Sequence, residues 1–111
     1  MTGFAEPFEV REFATADGHV PVREWLADLD RVSRVRILAR IARVAGGNLG
    51  DCRAVGEGVL EARLAFGPGY RVYFGRHGRT VVLLLLGGSK ATQFRDIHHA
   101  KMYWRQYRES I

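Results

Sequence analysis

The stretch from 57 to 96, EGVLEARLAFGPGYRVYFGRHGRTVVLLLLGGSKATQFRD, restricts the fold more than any other part of the chain. Two alternating segments flank Gly67-Pro68-Gly69, and a third, VVLLLL at 81–86, is apolar throughout. Strand side chains alternate between faces, so Leu60, Ala62, Leu64 and Phe66 share the core face while Val59, Glu61, Arg63 and Ala65 take the other. Past the turn, Tyr70, Val72 and Phe74 continue the apolar face, with Arg71 and Tyr73 opposite. A loop of only Gly67-Pro68-Gly69 pairs Phe66 with Tyr70 and sets Arg63 against Tyr73. His77-Gly78 makes a second tight turn. The strand expected at 80–86, apolar on both faces, suits the interior of a sheet covered on both sides. Gly87-Gly88-Ser89-Lys90 then turns into a helix from about Thr92 to Arg108, with Ile97, Ala100, Trp104 and Tyr107 as its apolar stripe.

Upstream, residues 8–13 (FEVREF) alternate as a first strand with Phe8, Val10 and Glu12 on one face, and ADGH at 16–19 is a turn. Val22, Trp25, Leu26 and Leu29 recur at helical spacing behind Pro21, which suits a first helical turn. A second helix spans about 31–45 and stops at Gly46-Gly47-Asn48. Val35, Leu38, Ile41, Ala42 and Ala45 are its expected apolar face, with Arg36, Arg40 and Arg43 as a basic stripe opposite. Arg34 falls on the apolar side, and either snorkels or marks a late helix start. The expected order is β-α-α-β-β-β-α. That is an α+β fold, a mostly antiparallel sheet with an N-terminal helical hairpin and a C-terminal helix. At 111 residues the chain has room for one core, so 1–111 is a single domain.

Charge narrows the partners. The net charge is +5, and all but Lys90 and Lys101 of the 17 basic residues are arginine. An acidic partner follows, and the guanidinium fork matches phosphate geometry. Cys52 stands alone, which excludes an internal disulfide and a multi-cysteine metal site. His98 and His99 point about 100° apart on a helix and cannot chelate one ion well. With no paired metal-ligand motif, no metal is expected. Gly56-Glu57-Gly58 and Gly67-Pro68-Gly69 complete neither a dinucleotide nor a P-loop motif, so no cofactor is expected. The opening MTGFAEPFEV has neither the basic nor the apolar region of a signal peptide, and the run at 81–86 is too short to cross a bilayer. The expectation is a cytoplasmic protein with no membrane partner.

Cleaving an RNA strand without a metal requires deprotonating the 2′-hydroxyl, stabilising the phosphorane and protonating the leaving oxygen. Arg63, Arg71 and Lys90 are the candidate catalytic cations. Glu61 is the candidate base, or a tether that orients Arg63. Tyr73 is a candidate RNA-binding residue, stacking on a base or donating a hydrogen bond. The stripe Arg36, Arg40 and Arg43 is a second candidate for RNA contact. Lys90 follows a glycine pair and precedes a helix, where backbone amides and the helix N-terminus favour phosphate. The plain structural alternative is a Glu61 ion pair with Arg63 or Arg71 and a solvated arginine stripe.

Four runs carry a family resemblance: Gly46-Gly47-Asn48-Leu49-Gly50-Asp51, Glu61-Ala62-Arg63, Gly67-Pro68-Gly69-Tyr70-Arg71-Val72-Tyr73-Phe74, and Gly87-Gly88-Ser89-Lys90 with Gln93 and Asp96-Ile97. Together they resemble the addiction-module killer proteins of the RelE/ParE toxin superfamily, in its HigB-like, phage Gp49-like branch. The likeness runs from Trp25-Leu26 onward. It implies a RelE-like fold and a toxin of a type II toxin–antitoxin system. Its partner is a cognate helix-turn-helix antitoxin, through which alone it meets operator DNA. RelE-like members cut mRNA on the ribosome without metal, using scattered Arg, Lys, Glu, His and Tyr residues. Arg63, Arg71 and Lys90 carry over from that pattern. The chain departs from it in lacking a well-placed histidine near the C-terminus and a lysine-rich second helix, so no general acid or base is assigned. ParE-type members share the fold, inhibit DNA gyrase and have no nuclease site; there the stripe Arg36, Arg40 and Arg43 would be the recognition surface. An inactive toxin fold kept as a binding module is the third outcome.

Overall fold

The computed structural model describes residues 8–78 and 81–111. Thr80, at the head of the strand expected over 80–86, and the first seven residues, which open the stretch tested for a signal peptide, lie outside the described residues. Five strands form one sheet: β1 (Glu9–Glu12), β2 (Cys52–Gly56), β3 (Val59–Arg63), β4 (Arg71–His77) and β5 (Val81–Gly88). Their spatial order is β1-β5-β4-β3-β2. β1 runs parallel to β5, and every other neighbour is antiparallel. Helices α1 (Pro21–Ala27) and α2 (Arg31–Ala45) cover one face, and α3 (Gln93–Glu109) covers the other.

The fold is α+β, with the order β-α-α-β-β-β-β-α instead of the expected β-α-α-β-β-β-α. The extra element is β2. Its sequence CRAVG lies on the sheet edge, stays largely exposed and breaks register between Ala54 and Gly56. An edge strand with so little to bury shows no hydrophobic alternation.

Two cores share the sheet. On the first face Val22, Leu26, Ile37, Ile41 and Val44 pack on Ala62, Leu64, Val72, Phe74, Val82 and Leu84. On the second, Ala100 and Trp104 of α3 pack on Phe13, Val59, Tyr73, Leu83 and Leu85. The expected faces of β3, β4 and α3 therefore hold. β5 carries a bulge, because Tyr73 pairs with Leu86 and the next residue, Phe74, with Leu84. The extra residue reverses the parity of the strand. Gly87 thereby meets the first face, where a Cβ would lie 2.1 Å from Trp25, and Gly88 meets α3, where a Cβ would collide with the Asp96 carboxylate. The glycine pair thus admits a tryptophan on one side and a buried acid on the other.

Two details differ from the sequence reading. The first is the face of α2. Its buried residues are Ile37, Arg40, Ile41 and Val44, while Val35, Leu38 and Ala42 are exposed. Val32, Val35, Leu38, Ile37, Ile41 and Val44 surround the helix with apolar groups, so spacing alone could not pick the inner face; Arg40, expected outside, lies inside. Arg34 neither snorkels nor marks a late start. It donates to the carbonyls of Leu26 (3.1 Å) and Leu29 (2.8 Å), clamping the turn between α1 and α2.

The second is the β3–β4 register. Glu61 pairs with Tyr73 and Arg63 with Arg71, in place of Arg63 with Tyr73. The connection is longer than Gly67-Pro68-Gly69 because Leu64 N–H bonds the Tyr70 carbonyl and Gly69 N–H bonds the Phe66 carbonyl, closing a turn inside the loop.

Candidate active site and arginine groove

β2, β3 and β4 carry a polar cluster on the α3 side of the sheet, centred on Glu61, which is 0% exposed. One carboxylate oxygen, Oε1, accepts from Arg53 Nε at 2.9 Å. The other accepts from Tyr73 Oη at 3.0 Å and from Gln93 Nε2, in the first turn of α3, at 2.9 Å. Arg71 Nε lies 3.7 Å from the same oxygen and has no hydrogen-bond partner, although its Nη1 donates to the Gly69 carbonyl at 2.5 Å. Glu61 therefore tethers Arg53 and stands beside Arg71, and is not the tether of Arg63.

These contacts fix the protonation states. Burial pushes the Glu61 carboxyl up, but the hydrogen bonds from Gln93, Arg53 and Tyr73, together with the Arg53 charge, outweigh it and hold the carboxyl below its usual range. Burial and the Glu61 contact push the Tyr73 phenol far above its usual range. An ionised, fully bonded carboxylate is a weak base, so Glu61 fits the expected general-base role poorly. Tyr73, 0% exposed, presents no ring to a nucleobase, and stacking is closed to it.

Lys90 stands next to this cluster. It opens a short 3-10 turn (Lys90–Thr92) before α3, is exposed, and its backbone N–H reaches the Pro68 carbonyl at 3.3 Å. Gly69, at φ +74°, lies between the two cations: a Cβ there would be 3.0 Å from Arg71 Nη1 and 3.3 Å from Lys90 Cβ. A residue with φ in that region favours glycine, and here the missing side chain also leaves room for both cations. Below them Asp96 is buried and accepts from Thr92 Oγ1 at 2.5 Å, while Ser89 and Thr92 cap the turn reciprocally.

Arg63 stands across from Arg71 in the strand register but makes no ion pair with Glu61 among the described residues. Its Nε is 3.6 Å from Asp51, and it lines a groove of about 310 Å³ on the helix side with Arg36, Ala39, Arg40, Arg43, Leu64, Ala65 and Phe66. The Arg36 guanidinium lies 3.8 Å above the Phe66 ring. Arg40 is only 5% exposed, its Nη2 reaching Cys52 Sγ at 3.6 Å and its plane resting against Gly50. The expected solvated stripe is in fact a groove with one arginine sunk at its base.

The structure thus brings Glu61, Arg71, Tyr73 and Lys90 together, with Arg63 across from Arg71 at the margin and also lining the groove with Arg36, Arg40 and Arg43. Sequence reasoning missed Arg53 and Gln93. Arg53 follows from β2, across from Glu61 in register, and could be found only with that strand. Gln93 falls three residues after Lys90, within the last of the four runs that carry the family resemblance, and had no assigned role. No group of three or more His, Cys, Asp or Glu side chains among the described residues could hold a metal ion. Among the described residues no helix is long and apolar enough to cross a membrane.

The chain is 43% identical over 79 residues to a Haemophilus influenzae (strain ATCC 51907 / DSM 11121 / KW20 / Rd) protein described as uncharacterized; the match covers 70% of this chain and 80% of that one. No protein-family model and no solved structure matches it.

Proposed function

The chain belongs to the family of that Haemophilus influenzae protein, and we propose that it is the toxin of a type II toxin–antitoxin pair, a metal-independent, ribosome-associated mRNA endoribonuclease. One observation carries this reading: a sealed carboxylate, Glu61, gathers Arg53, Gln93 and Tyr73 and stands against Arg71, with Lys90 alongside. Burying a charge is costly, and a fold needs no such cluster for its own stability. Fixed cations beside a loop are what a phosphoryl transition state uses.

As a 2′-oxygen attacks phosphorus, charge grows on the non-bridging oxygens. Arg71 and Lys90 stand to neutralise it, and Glu61 keeps Arg53 and Gln93 oriented. The cluster accelerates by charge stabilisation alone. Its carboxyl is held below its usual range and its phenol above, which makes the one a weak base and the other a weak acid at neutral pH. The RelE-like arrangement, the helix-turn-helix antitoxin and a cytoplasmic site of action belong to the same proposal. The residue resemblance described above supports them.

A gyrase-directed toxin is the second reading. The outer face of α2, where Val32, Val35 and Leu38 stand exposed, favours it, because an apolar helix face suits a protein target. Induced expression with mapping of new RNA 5′ ends separates the two. We expect cuts within translated codons, reduced about 10²–10³-fold by Arg71→Ala or Lys90→Ala, the cost of losing one transition-state donor. Cleavage unchanged in both variants would sink the site. Growth arrest with intact RNA and a DNA-damage response would move the target to gyrase.

A further inference from the structure

The groove on the α2 side holds a charge that nothing in the described structure neutralises. None of the ion pairs among the described residues involves Arg36, Arg40 or Arg43. Arg63 has only a 3.6 Å contact to Asp51. For the exposed arginines this is unremarkable, since water screens them. For Arg40 it is not. The residue is only 5% exposed, and its one side-chain hydrogen bond goes to a thiol sulfur, a weak acceptor already donating to the Leu49 carbonyl. Its other guanidinium nitrogens have no partner and are not sealed atoms, so a nearly buried cation without a counter-ion presents free donors to the groove.

The surroundings specify the ligand. Four guanidinium-bearing residues line one groove of about 310 Å³. The Arg36 guanidinium rests over the Phe66 ring, and Gly50 lets the Arg40 guanidinium approach the backbone: at φ +60°, a Cβ there would be 3.2 Å from Nη2. Planar forks fixed against an aromatic ring and a glycine match the oxygens of a tetrahedral oxyanion. We infer that this groove is a phosphate-binding site, separate from the Glu61 cluster, in which Arg40 is the anchor and Arg36, Arg43 and Arg63 close over the anion. The phosphate comes either from a nucleic-acid backbone or from a free phosphate. The inference stands on the groove itself and does not require the nuclease reading.

Inorganic phosphate, titrated at constant ionic strength against the full chain by calorimetry and thermal melting, tests it. One saturable site with a rise in Tm is expected. Arg36→Gln, an exposed position that the fold does not depend on, should weaken binding roughly tenfold or more, as for a lost charged hydrogen bond. Arg40→Met should abolish binding and, without phosphate, melt no lower than the wild type, because it removes an unpaired buried charge. Arg71→Ala and Lys90→Ala should leave phosphate binding intact even if they end RNA cleavage, which separates a failure here from a failure of the proposed function. A single-stranded oligouridylate that competes with phosphate identifies the source as a polynucleotide backbone. Its Kd should then follow salt with a slope that falls by about one on loss of Arg40. Phosphate binding without competition identifies a free phosphate. No saturable binding of either probe, or binding indifferent to both Arg36→Gln and Arg40→Met, overturns the inference.

Discussion

Replacing Glu61 by glutamine keeps the shape of the side chain and removes its charge, which isolates what the carboxylate does. In the wild type its two oxygens accept from three donors, Arg53 Nε, Tyr73 Oη and Gln93 Nε2, all within 3.0 Å. An amide has one acceptor oxygen. If its NH₂ faces Arg53 the contact becomes donor against donor; if it faces Tyr73 and Gln93, the phenol must accept instead of donate and the Gln93 amide must turn over. Arg71, 8% exposed, also loses the nearest carboxylate to its unpaired Nε. Breaking a buried pair by removing one partner costs about 3–5 kcal/mol. Arg53 is half exposed and regains water, so we expect about 2–4 kcal/mol, or a Tm lower by roughly 10–15 °C for a domain of this size.

The pH dependence follows from the depressed carboxyl. A group whose folded pKa is lowered adds stability above its unfolded value, here 4.5, and loses it as pH falls through the folded value. Urea unfolding of wild type and Glu61→Gln should therefore show the full gap at neutral pH and a shrinking gap in acid, below the unfolded value. A neutral-pH gap under about 0.5 kcal/mol, or one that persists undiminished in acid, would refute the idea that Glu61 is held as an ionised hub.

Two further outcomes check the sheet beneath the site. Gly75→Ala should cost about 1–3 kcal/mol in chemical denaturation, since a Cβ would sit 2.4 Å from Trp104 Cζ3; a Trp104→Leu background should recover most of the loss. In an alkaline titration followed by phenolate absorbance, Tyr73 should stay protonated well above the usual tyrosine range. Its raised pKa adds stability that is complete below about 10 and lost as pH climbs toward the folded value. Ionisation of Tyr73 within the usual tyrosine range, read as the absorbance step lost in Tyr73→Phe, would contradict a sealed Tyr73–Glu61 contact.

How much could be read in advance depends on where each residue's energy lies. The β3 and β4 faces and the stripe of α3 were legible because burial there is one-sided and follows the period of the element. α2 was not, because apolar groups circle it and the decision between faces rests on one arginine, Arg40, whose burial no local rule indicates. β2 was invisible for the opposite reason, having almost nothing to bury. Within the site, Arg71 and Lys90 were found from strand parity and the turn before α3, and the structure keeps them together. Arg63 keeps the strand face that alternation indicates but stands across from Arg71 instead of Tyr73, because the loop closes on itself through backbone bonds that side-chain alternation cannot count. Gln93 needed the third dimension, since its partner Glu61 is more than thirty residues upstream.

The parallel pairing of β1 with β5 orders events in time. Glu9 pairs with Val81, and α1 and α2 bury Val22, Leu26 and Ile37 against Val82 and Leu84. While the chain is being made, nearly everything N-terminal to β3 waits on a strand not yet synthesised. The hairpins β2–β3, β3–β4 and β4–β5 link close neighbours and can form first, whereas β1 and the helical pair must close a long loop afterwards. The cluster around Glu61 needs Gln93 as well, so the complete site exists only after α3 has begun to emerge. Until that first turn of α3 has formed, the Glu61 carboxylate lacks one of its three donors.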